Sequence, residues 1–260
     1  APISYVKWDM NRNMTEIGST AWPAKKQKEI AHRYMLGLYK ILENITSNFP
    51  NILFESCSGG GGRFDGGMLY YMPQTWTSDD TDAIERLMIQ EGTSLVYPTS
   101  SMGSHVSAVP NHQVHRITPL NTRGVVAMAG SFGYELDVTK MNEEEKEEVK
   151  KQVEFYKNIR STVQFGDLYR LKSSFDSNEA AWMNLSKDGK EVVVSYVKKY
   201  AEANVIPRRL KVKALDENSL YEVIETGEVF GGDELMYIGL EIGELMGDYQ
   251  AKNWTLRKVD

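Results

Sequence analysis

The sequence has little cysteine, no excess of positive charge and no long apolar run. A single cysteine, Cys57, excludes an internal disulfide and fits a reducing compartment, so we expect a cytoplasmic location. The net charge of -6 and the pI near 5.4 argue against a nucleic-acid partner, because binding phosphates requires a basic face. No apolar run approaches the roughly 20 residues that span a bilayer, and we expect no membrane partner.

Strand-like and helix-like segments alternate through the first part of the chain, which is 260 residues long and 41% hydrophobic. This alternation predicts a parallel sheet covered by helices. Strands are predicted at 5–8, 51–56, 74–78, 102–106 and 131–136. Helices are predicted after Pro23 as far as Pro50, over 81–90 with Asp80 or Thr81 as the cap, over 120–128, and over 142–158.

The pattern then changes to short β-rich runs separated by turns. These runs lie at 191–196, 209–215, 220–224 and 253–259, and the turn sequence from Lys187 to Lys190 is typical of a hairpin. We interpret this part as an antiparallel β domain. The predicted domains are therefore residues 1–162 and 163–260.

Polar residues follow the first and third predicted strands at the point where each ends. Asp9 and Asn11 come after the first strand, and Asp79 comes after the third. Loops at the carboxyl ends of parallel barrel strands collect catalytic groups, and two carboxylates are what glycoside hydrolysis needs. The alternative is a strand end at which Asp9 pairs with Lys7 or Arg12 and has no further role.

A glycine-rich loop lies between the two aspartates in the sequence. Its glycines, residues 59–62, permit close approach of backbone amides to a small polar ligand such as a sugar. A phosphate loop is the poorer interpretation because no Gly-Lys-Ser/Thr follows. Cys57 lacks a partner histidine and suits ligand contact or packing better than nucleophilic catalysis. His112 and His115 have no matching ligands at zinc spacing, so we predict no metal and no cofactor.

Three motifs carry a family resemblance. They are Tyr5-Val-Lys-Trp-Asp-Met-Asn-Arg12, Glu55-Ser-Cys-Ser-Gly-Gly-Gly-Gly-Arg-Phe-Asp65 and Trp76-Thr-Ser-Asp-Asp-Thr-Asp-Ala83. In this order and at these spacings the chain resembles the bacterial α-galactosidases of glycoside hydrolase family 36. The resemblance implies that Asp9 is the nucleophile and Asp79 the general acid/base of a retaining mechanism. It also implies that galactose is bound by Lys7, Asn11, Cys57, Gly59 and Gly60.

The chemistry of these residues agrees with the implied roles. Lys7 precedes Asp9 by two positions on one strand, so both side chains project to the same side, and the cation favours ionised Asp9. Asp79 must hold a proton near neutral pH, and retention requires the two carboxyl groups to lie about 5 to 5.5 Å apart. Asp80 stands where the family commonly has asparagine, and we keep Asp79 as the acid/base.

The resemblance also predicts that part of the enzyme is missing. A complete (β/α)8 barrel takes about 250 residues, but only five strands precede the β domain. We therefore expect a partial (β/α)8 barrel with about five of eight strands, followed by a small antiparallel β-sandwich.

Such a chain is expected to be inactive alone. The expected partners are the missing N-terminal part of the enzyme or another copy of the chain in a homo-oligomer. The expected substrate is terminal α-linked galactose in melibiose- or raffinose-type oligosaccharides. An α-N-acetylgalactosaminidase, a galactosyl transferase and a noncatalytic assembly fragment remain the alternatives.

Overall fold

Three parallel strands and two helices form the first of two compact units into which the chain divides, residues 1–79 and 80–260. The computed structural model describes residues 2–11, 14–204 and 206–259. Strand β1 pairs in parallel with β2, and β2 with β3. The elements of this unit, with a short 3-10 helix (Ala24–Glu29) before the first helix, are β1 (Tyr5–Asp9), α1 (Ile30–Asn48), β2 (Leu53–Cys57), α2 (Gly66–Tyr71) and β3 (Gln74–Trp76).

The core of the first unit explains why its strands carry apolar and polar residues in alternation. Leu38 and Leu42, one helical turn apart on α1, are buried against Phe54 of β2, and Val6 and Trp8 of β1 pack against the same cluster. Because successive strand residues point to opposite faces, Lys7 and Asp9 lie on the face away from the helices. One face of these strands therefore forms the core, and the other carries the polar residues.

The second unit begins with two more parallel strands between helices. Strand β4 pairs in parallel with β5. Asp82 caps α3 by accepting hydrogen bonds from the backbone N–H groups of Ile84 and Glu85, and Asn142 and Glu145 form a reciprocal capping box at the start of α5. The elements are α3 (Ala83–Ser94), β4 (Met102–Ser107), α4 (Leu120–Ala127), β5 (Ser131–Glu135) and α5 (Glu143–Phe165).

A six-stranded antiparallel sheet follows, in the order β11-β10-β13-β8-β7-β6. A two-residue pairing of β9 with β12 and a short helix lie beside it. The elements are β6 (Asp167–Lys172), β7 (Glu179–Leu185), β8 (Glu191–Lys198), β9 (Arg209–Leu210), β10 (Leu220–Val223), β11 (Glu228–Gly231), α6 (Gly232–Tyr237), β12 (Leu240–Glu241) and β13 (Gln250–Val259).

Strand β8 is buried on both faces, which accounts for its unbroken valine-rich sequence. Val192 and Val194 belong to a large core with β9, β10 and β13, while Val193 packs against α5 and Val197 against α3 and α4. A strand that is covered on both faces has no solvent side and therefore shows no polar alternation. Helices α3 to α5 and the antiparallel sheet thus share one continuous interior within residues 80–260.

Several predicted boundaries were wrong. The cap of α3 is Asp82, not Asp80 or Thr81, because α3 begins two residues later than predicted. Helix α5 continues to Phe165, since Ile159 and Val163 remain buried against the sheet. In the predicted strand at 209–215, only Arg209–Leu210 forms sheet hydrogen bonds. The hairpin at residues 187–190 is present, with Gly189 at φ +72°.

Candidate active site

The strand register brings the first two motifs side by side. Lys7 lies opposite Glu55, and Asp9, the last residue of β1, lies opposite Cys57, the last residue of β2. The pairing continues one step beyond the strands, where the Met10 backbone N–H donates to the Cys57 carbonyl at 3.1 Å. The segment that carries Asp9 is therefore fixed against the start of the glycine-rich loop.

The Asp9 carboxylate has hydrogen-bond donors from both segments. The Asn11 side-chain amide donates to Asp9 Oδ2 at 2.7 Å, and the Cys57 thiol also donates to this carboxylate. Partial withdrawal from water alone would raise the pKa of Asp9. The hydrogen bonds from Asn11, Cys57 and the Met10 backbone, with a smaller effect of the Lys7 charge, outweigh it and hold this pKa below its ordinary value. Asp9 is accordingly ionised near neutral pH.

Cys57 is buried, and its thiol stays protonated. Burial raises the pKa of Cys57 to about 11, and donation to Asp9 contributes to the same direction. A thiol with this pKa is a poor nucleophile at neutral pH. Cys57 is therefore suited to donating a hydrogen bond and not to covalent catalysis.

The glycine-rich loop is attached to the end of β1 by two hydrogen bonds. The Gly59 backbone N–H donates to Asn11 Oδ1 at 2.7 Å, and the Ser58 hydroxyl donates to the Met10 carbonyl at 2.6 Å. Gly59 and Gly60 have φ values of +53° and +79°, a region that glycine adopts without strain. Asn11 thus contacts both the Asp9 carboxylate and the loop.

Asp79 lies at the other side of the same loop. A Cβ atom added to Gly60 would lie 2.6 Å from Ser78 Cα and 3.0 Å from the Asp79 backbone nitrogen. The loop therefore contacts Asp9 through Cys57 and the Asp79 backbone through Gly60. All seven residues singled out in the sequence lie on this loop, on β1 and β2, or in the segments that directly follow β1 and β3. Arg12, the last residue of the first motif, lies outside the described residues.

Lys7 does not make its ion pair with Asp9. Its Nζ atom lies 3.7 Å from Glu55 Oε1 and 4.5 Å from the centroid of the Trp76 ring. The alternative in which Asp9 pairs with Lys7 is therefore not what the structure has, and its other form, a pair of Asp9 with Arg12, lies outside the described residues. Lys7 influences Asp9 only through its charge at longer range.

Glu55 is the residue of this site that the sequence did not indicate. It is 2% exposed, and it accepts hydrogen bonds from the Tyr5 hydroxyl and, at 3.2 Å, from the Gln74 side-chain amide. Its position opposite Lys7 depends on the register of β1 and β2. The sequence held one signal for this position: Glu55 precedes Cys57 by two residues, just as Lys7 precedes Asp9.

Comparison with known proteins connects these residues to a family. The Melibiase family model matches residues 1–166. The chain belongs to the melibiase family. A second model, the glycosyl hydrolase family 36 C-terminal domain, matches residues 179–256. The resemblance to glycoside hydrolase family 36 is thereby confirmed.

Relatives of this chain include two bacterial alpha-galactosidases. The chain is 62% identical over 259 residues to alpha-galactosidase AgaA of Geobacillus stearothermophilus, covering 100% of the chain and 35% of the relative. Alpha-galactosidase Mel36A of Lactobacillus acidophilus is 53% identical over 258 residues, covering 99% and 35% respectively. The chain thus spans about a third of the length of these relatives.

Solved structures agree with the family assignment. The crystal structure of a variant of AgaA from Geobacillus stearothermophilus in complex with raffinose matches with a TM-score of 0.97 and 61% identity, covering 100% of this chain and 36% of that one. A stachyose complex of another AgaA variant gives the same TM-score at 62% identity and the same shares of the two chains. The predicted fold class, a partial (β/α)8 barrel followed by an antiparallel β domain, is confirmed.

The described residues contain neither a membrane-spanning helix nor a group of side chains suited to a metal ion. Within residues 2–11, 14–204 and 206–259, no helix is both long enough and apolar enough to cross a bilayer. Within these same ranges, no three His, Cys, Asp or Glu side chains are grouped so as to hold a metal ion.

Proposed function

We propose that the chain supplies both catalytic carboxylates of a retaining α-galactosidase, with Asp9 as nucleophile and Asp79 as general acid/base. The main support is the environment of Asp9, whose carboxylate is ionised and oriented by Asn11 and Cys57 beside a loop that also borders Asp79. An oriented, ionised carboxylate is what attack on an anomeric carbon requires.

The reaction proceeds in two displacements. An Asp9 oxygen attacks the anomeric carbon and forms a covalent galactosyl ester while Asp79 protonates the departing glycosidic oxygen. Asp79 then removes a proton from water, and the resulting oxygen attacks the same carbon and releases galactose with retained configuration. Lys7, Asn11, Cys57 and the amides of Gly59 and Gly60 bind the galactosyl group in this proposal. No cofactor takes part.

The proposed substrates carry terminal α-linked galactose, as in melibiose and raffinose-type oligosaccharides. The raffinose and stachyose complexes of AgaA variants support this substrate class, because the chain shares about three fifths of its residues with that enzyme. We further propose that residues 1–162 are the C-terminal part of the catalytic barrel and 163–260 an antiparallel β domain that packs against it. A cytoplasmic location and assembly with the N-terminal part of the enzyme, or with further copies of the chain, belong to the same proposal.

The roles of the two aspartates can be tested in an exchange enzyme, in which this chain replaces the matching segment of Geobacillus stearothermophilus AgaA. We expect Asp9→Ala to lower kcat/KM for 4-nitrophenyl α-galactoside by about 10³-fold or more. We expect Asp79→Ala to lower kcat by about 10²-fold or more, because water must then attack the galactosyl enzyme without a general base. Added azide distinguishes the roles. With Asp9→Ala, azide replaces the nucleophile and yields β-galactosyl azide; with Asp79→Ala it intercepts the galactosyl enzyme and yields α-galactosyl azide.

Asp80→Asn is the matched control. Asp80 Oδ1 accepts a hydrogen bond from the Asp82 backbone N–H at 3.0 Å, and asparagine retains this acceptor. We expect its kcat/KM to stay within about threefold of the unsubstituted exchange enzyme. Loss of activity and azide rescue in Asp80→Asn, with an active Asp79→Ala, would reassign the acid/base. The 260-residue chain assayed alone is expected to show no turnover.

A further inference from the structure

Glu55 is a buried carboxylate in the middle of β2, on the strand face that also carries Cys57. It is 2% exposed and stands in register between Lys7 on β1 and Gln74 on β3. A carboxylate at this depth requires compensating partners, because its hydration has been lost. The proposed catalytic roles give it no task.

The two carboxylate oxygens of Glu55 have different partners. Oε2 accepts hydrogen bonds from the Tyr5 hydroxyl and, at 3.2 Å, from Gln74 Nε2. Oε1 lies 3.7 Å from the ammonium of Lys7. The neutral donors thus fix the orientation of the carboxylate, and its charge is directed to Lys7.

Lys7 is held from two sides but remains accessible. Its side chain is 38% exposed, and its ammonium also lies 4.5 Å from the centroid of the buried Trp76 ring. The 3.7 Å separation from Glu55 exceeds hydrogen-bond length, so the ion pair restrains the ammonium without occupying its donors. A free lysine side chain has large rotamer entropy, and restraining it in advance lowers the cost of binding a ligand.

We propose that Glu55 is a positioning residue that holds the Lys7 ammonium where it binds the galactosyl group. The inference rests on the proposed function, since Lys7 is a proposed sugar contact. The competing explanation is that Glu55 only fastens the three strands together. The two explanations differ in whether the effect of Glu55 on ligand binding passes through Lys7.

A double-mutant cycle in the exchange enzyme separates these explanations. The variants are Glu55→Gln, which keeps the size and an acceptor but removes the charge, Lys7→Met, and the double variant. The readouts are KM and kcat for 4-nitrophenyl α-galactoside and the inhibition constant of 1-deoxygalactonojirimycin. We expect each single change to raise KM and the inhibition constant by about tenfold or more, equivalent to ~1.4 kcal/mol, while kcat changes by less than about threefold.

The inhibition constant of the double variant distinguishes the two explanations. If Glu55 acts through Lys7, adding Glu55→Gln to Lys7→Met raises the inhibition constant by less than about twofold. If Glu55→Gln raises the inhibition constant equally with Lys7 present and with Lys7→Met, the proposal is overturned and Glu55 is a purely structural residue. If Glu55→Gln does not fold, Glu55→Asp replaces it in the same cycle, since it keeps the charge but withdraws it from Lys7 by one methylene.

Thr75→Val provides the control on the same sheet. Thr75 is 1% exposed, points to the face opposite Gln74, and its hydroxyl has no hydrogen-bond partner among the described residues. We expect unchanged kinetic constants within about twofold. An unsubstituted exchange enzyme that neither hydrolyses galactosides nor binds 1-deoxygalactonojirimycin would instead refute the proposed function, and this inference with it.

Discussion

Among the described residues, each compact unit buries one strand glutamate, but the two glutamates have different partners. Glu55 on β2 contacts one cation, Lys7, together with the neutral donors of Tyr5 and Gln74. Glu179 on β7 is 5% exposed and contacts two cations, Lys172 and Arg208, together with a neutral donor. The charge of a buried carboxylate can therefore be balanced by a cation of the candidate site, as for Glu55, or by cations outside that site, as for Glu179.

The difference lies in what each cation does besides neutralising the carboxylate. Lys172 and Arg208 are 34% and 31% exposed, and neither is a candidate site residue, so the Glu179 cluster connects parts of the β domain. The Tyr196 hydroxyl donates to Glu179 from the neighbouring strand β8. Glu55 instead forms an ion pair with Lys7, the proposed sugar contact. Similar burial thus serves stability in one unit and the arrangement of a site in the other.

The largest expected effect is on stability, and it should distinguish the two glutamates. Glu179→Gln leaves two cations without their counter-ion, and we expect the free energy of unfolding to fall by about 3 kcal/mol. This is the low end for a broken buried ion pair, because both cations can be rehydrated. Glu55→Gln should cost about 1 kcal/mol, since it loses one partly exposed pair. Urea unfolding of the chain measures both, and equal losses would remove the distinction.

The pH dependence of the Glu179 effect has a definite sign. Burial alone would raise the pKa of Glu179, but hydrogen bonds from Lys172, Tyr196 and Arg208 outweigh it and hold this pKa below its ordinary value. The ionised carboxylate therefore stabilises the fold above its ordinary pKa near 4.5, and this contribution is lost as the pH falls through the lowered value. Glu179→Gln lacks this carboxylate, so the corresponding loss of unfolding free energy at acidic pH should be absent in this variant.

A glycine in each unit offers a second comparison. Gly60 and Gly189 both have positive φ, +79° and +72°, but a Cβ on Gly189 meets nothing within 4 Å, whereas one on Gly60 lies 2.6 Å from Ser78 Cα. Gly189→Ala should cost only the backbone strain, about 1 kcal/mol. Gly60→Ala must also displace the segment that carries Asp79. We expect kcat of the exchange enzyme to fall by about 10- to 100-fold.

Gly60→Ala should therefore change kcat more than the free energy of unfolding, and Gly189→Ala the free energy of unfolding more than kcat. Gly189→Ala is expected to keep full activity after correction for folded protein. If Gly60→Ala reduces activity no more than Gly189→Ala does, the loop does not fix the position of Asp79.

How much the sequence predicted also differs between the two regions. The parallel strands and the ends that carry Asp9 and Asp79 were predictable, because apolar runs that end in polar residues are local signals. Strand β7 was not, since its Glu-Ala-Ala start does not favour a strand and only pairing with β6 and β8 determines its structure. The role of Glu55 was equally hidden, because it depends on the register that places Lys7 opposite.

The smallest expected effect concerns hydrogen bonds to the carboxylates of Asp9 and Asp188. The Cys57 thiol helps to lower the pKa of Asp9, and the Ser186 hydroxyl, 2.6 Å from Asp188 Oδ1, lowers that of Asp188 in the β7–β8 hairpin. Cys57→Ala removes the first donor, so the pKa of Asp9 should rise. The proposed nucleophile Asp9 must be ionised to act, so the acidic limb of the kcat/KM profile should move to higher pH.

Two variants show whether that shift comes from the hydrogen bond. Cys57→Ser keeps a donor at the same position, and we expect its acidic limb to stay near that of the unsubstituted exchange enzyme. Ser186→Ala should raise the pKa of Asp188, measurable from carboxyl carbon shifts during titration, without moving the kinetic profile. An acidic limb that is identical in Cys57→Ala and Cys57→Ser would mean that the thiol does not control Asp9. The ionisation of Asp9 would then depend chiefly on Asn11 and the Met10 backbone, the other donors that lower its pKa.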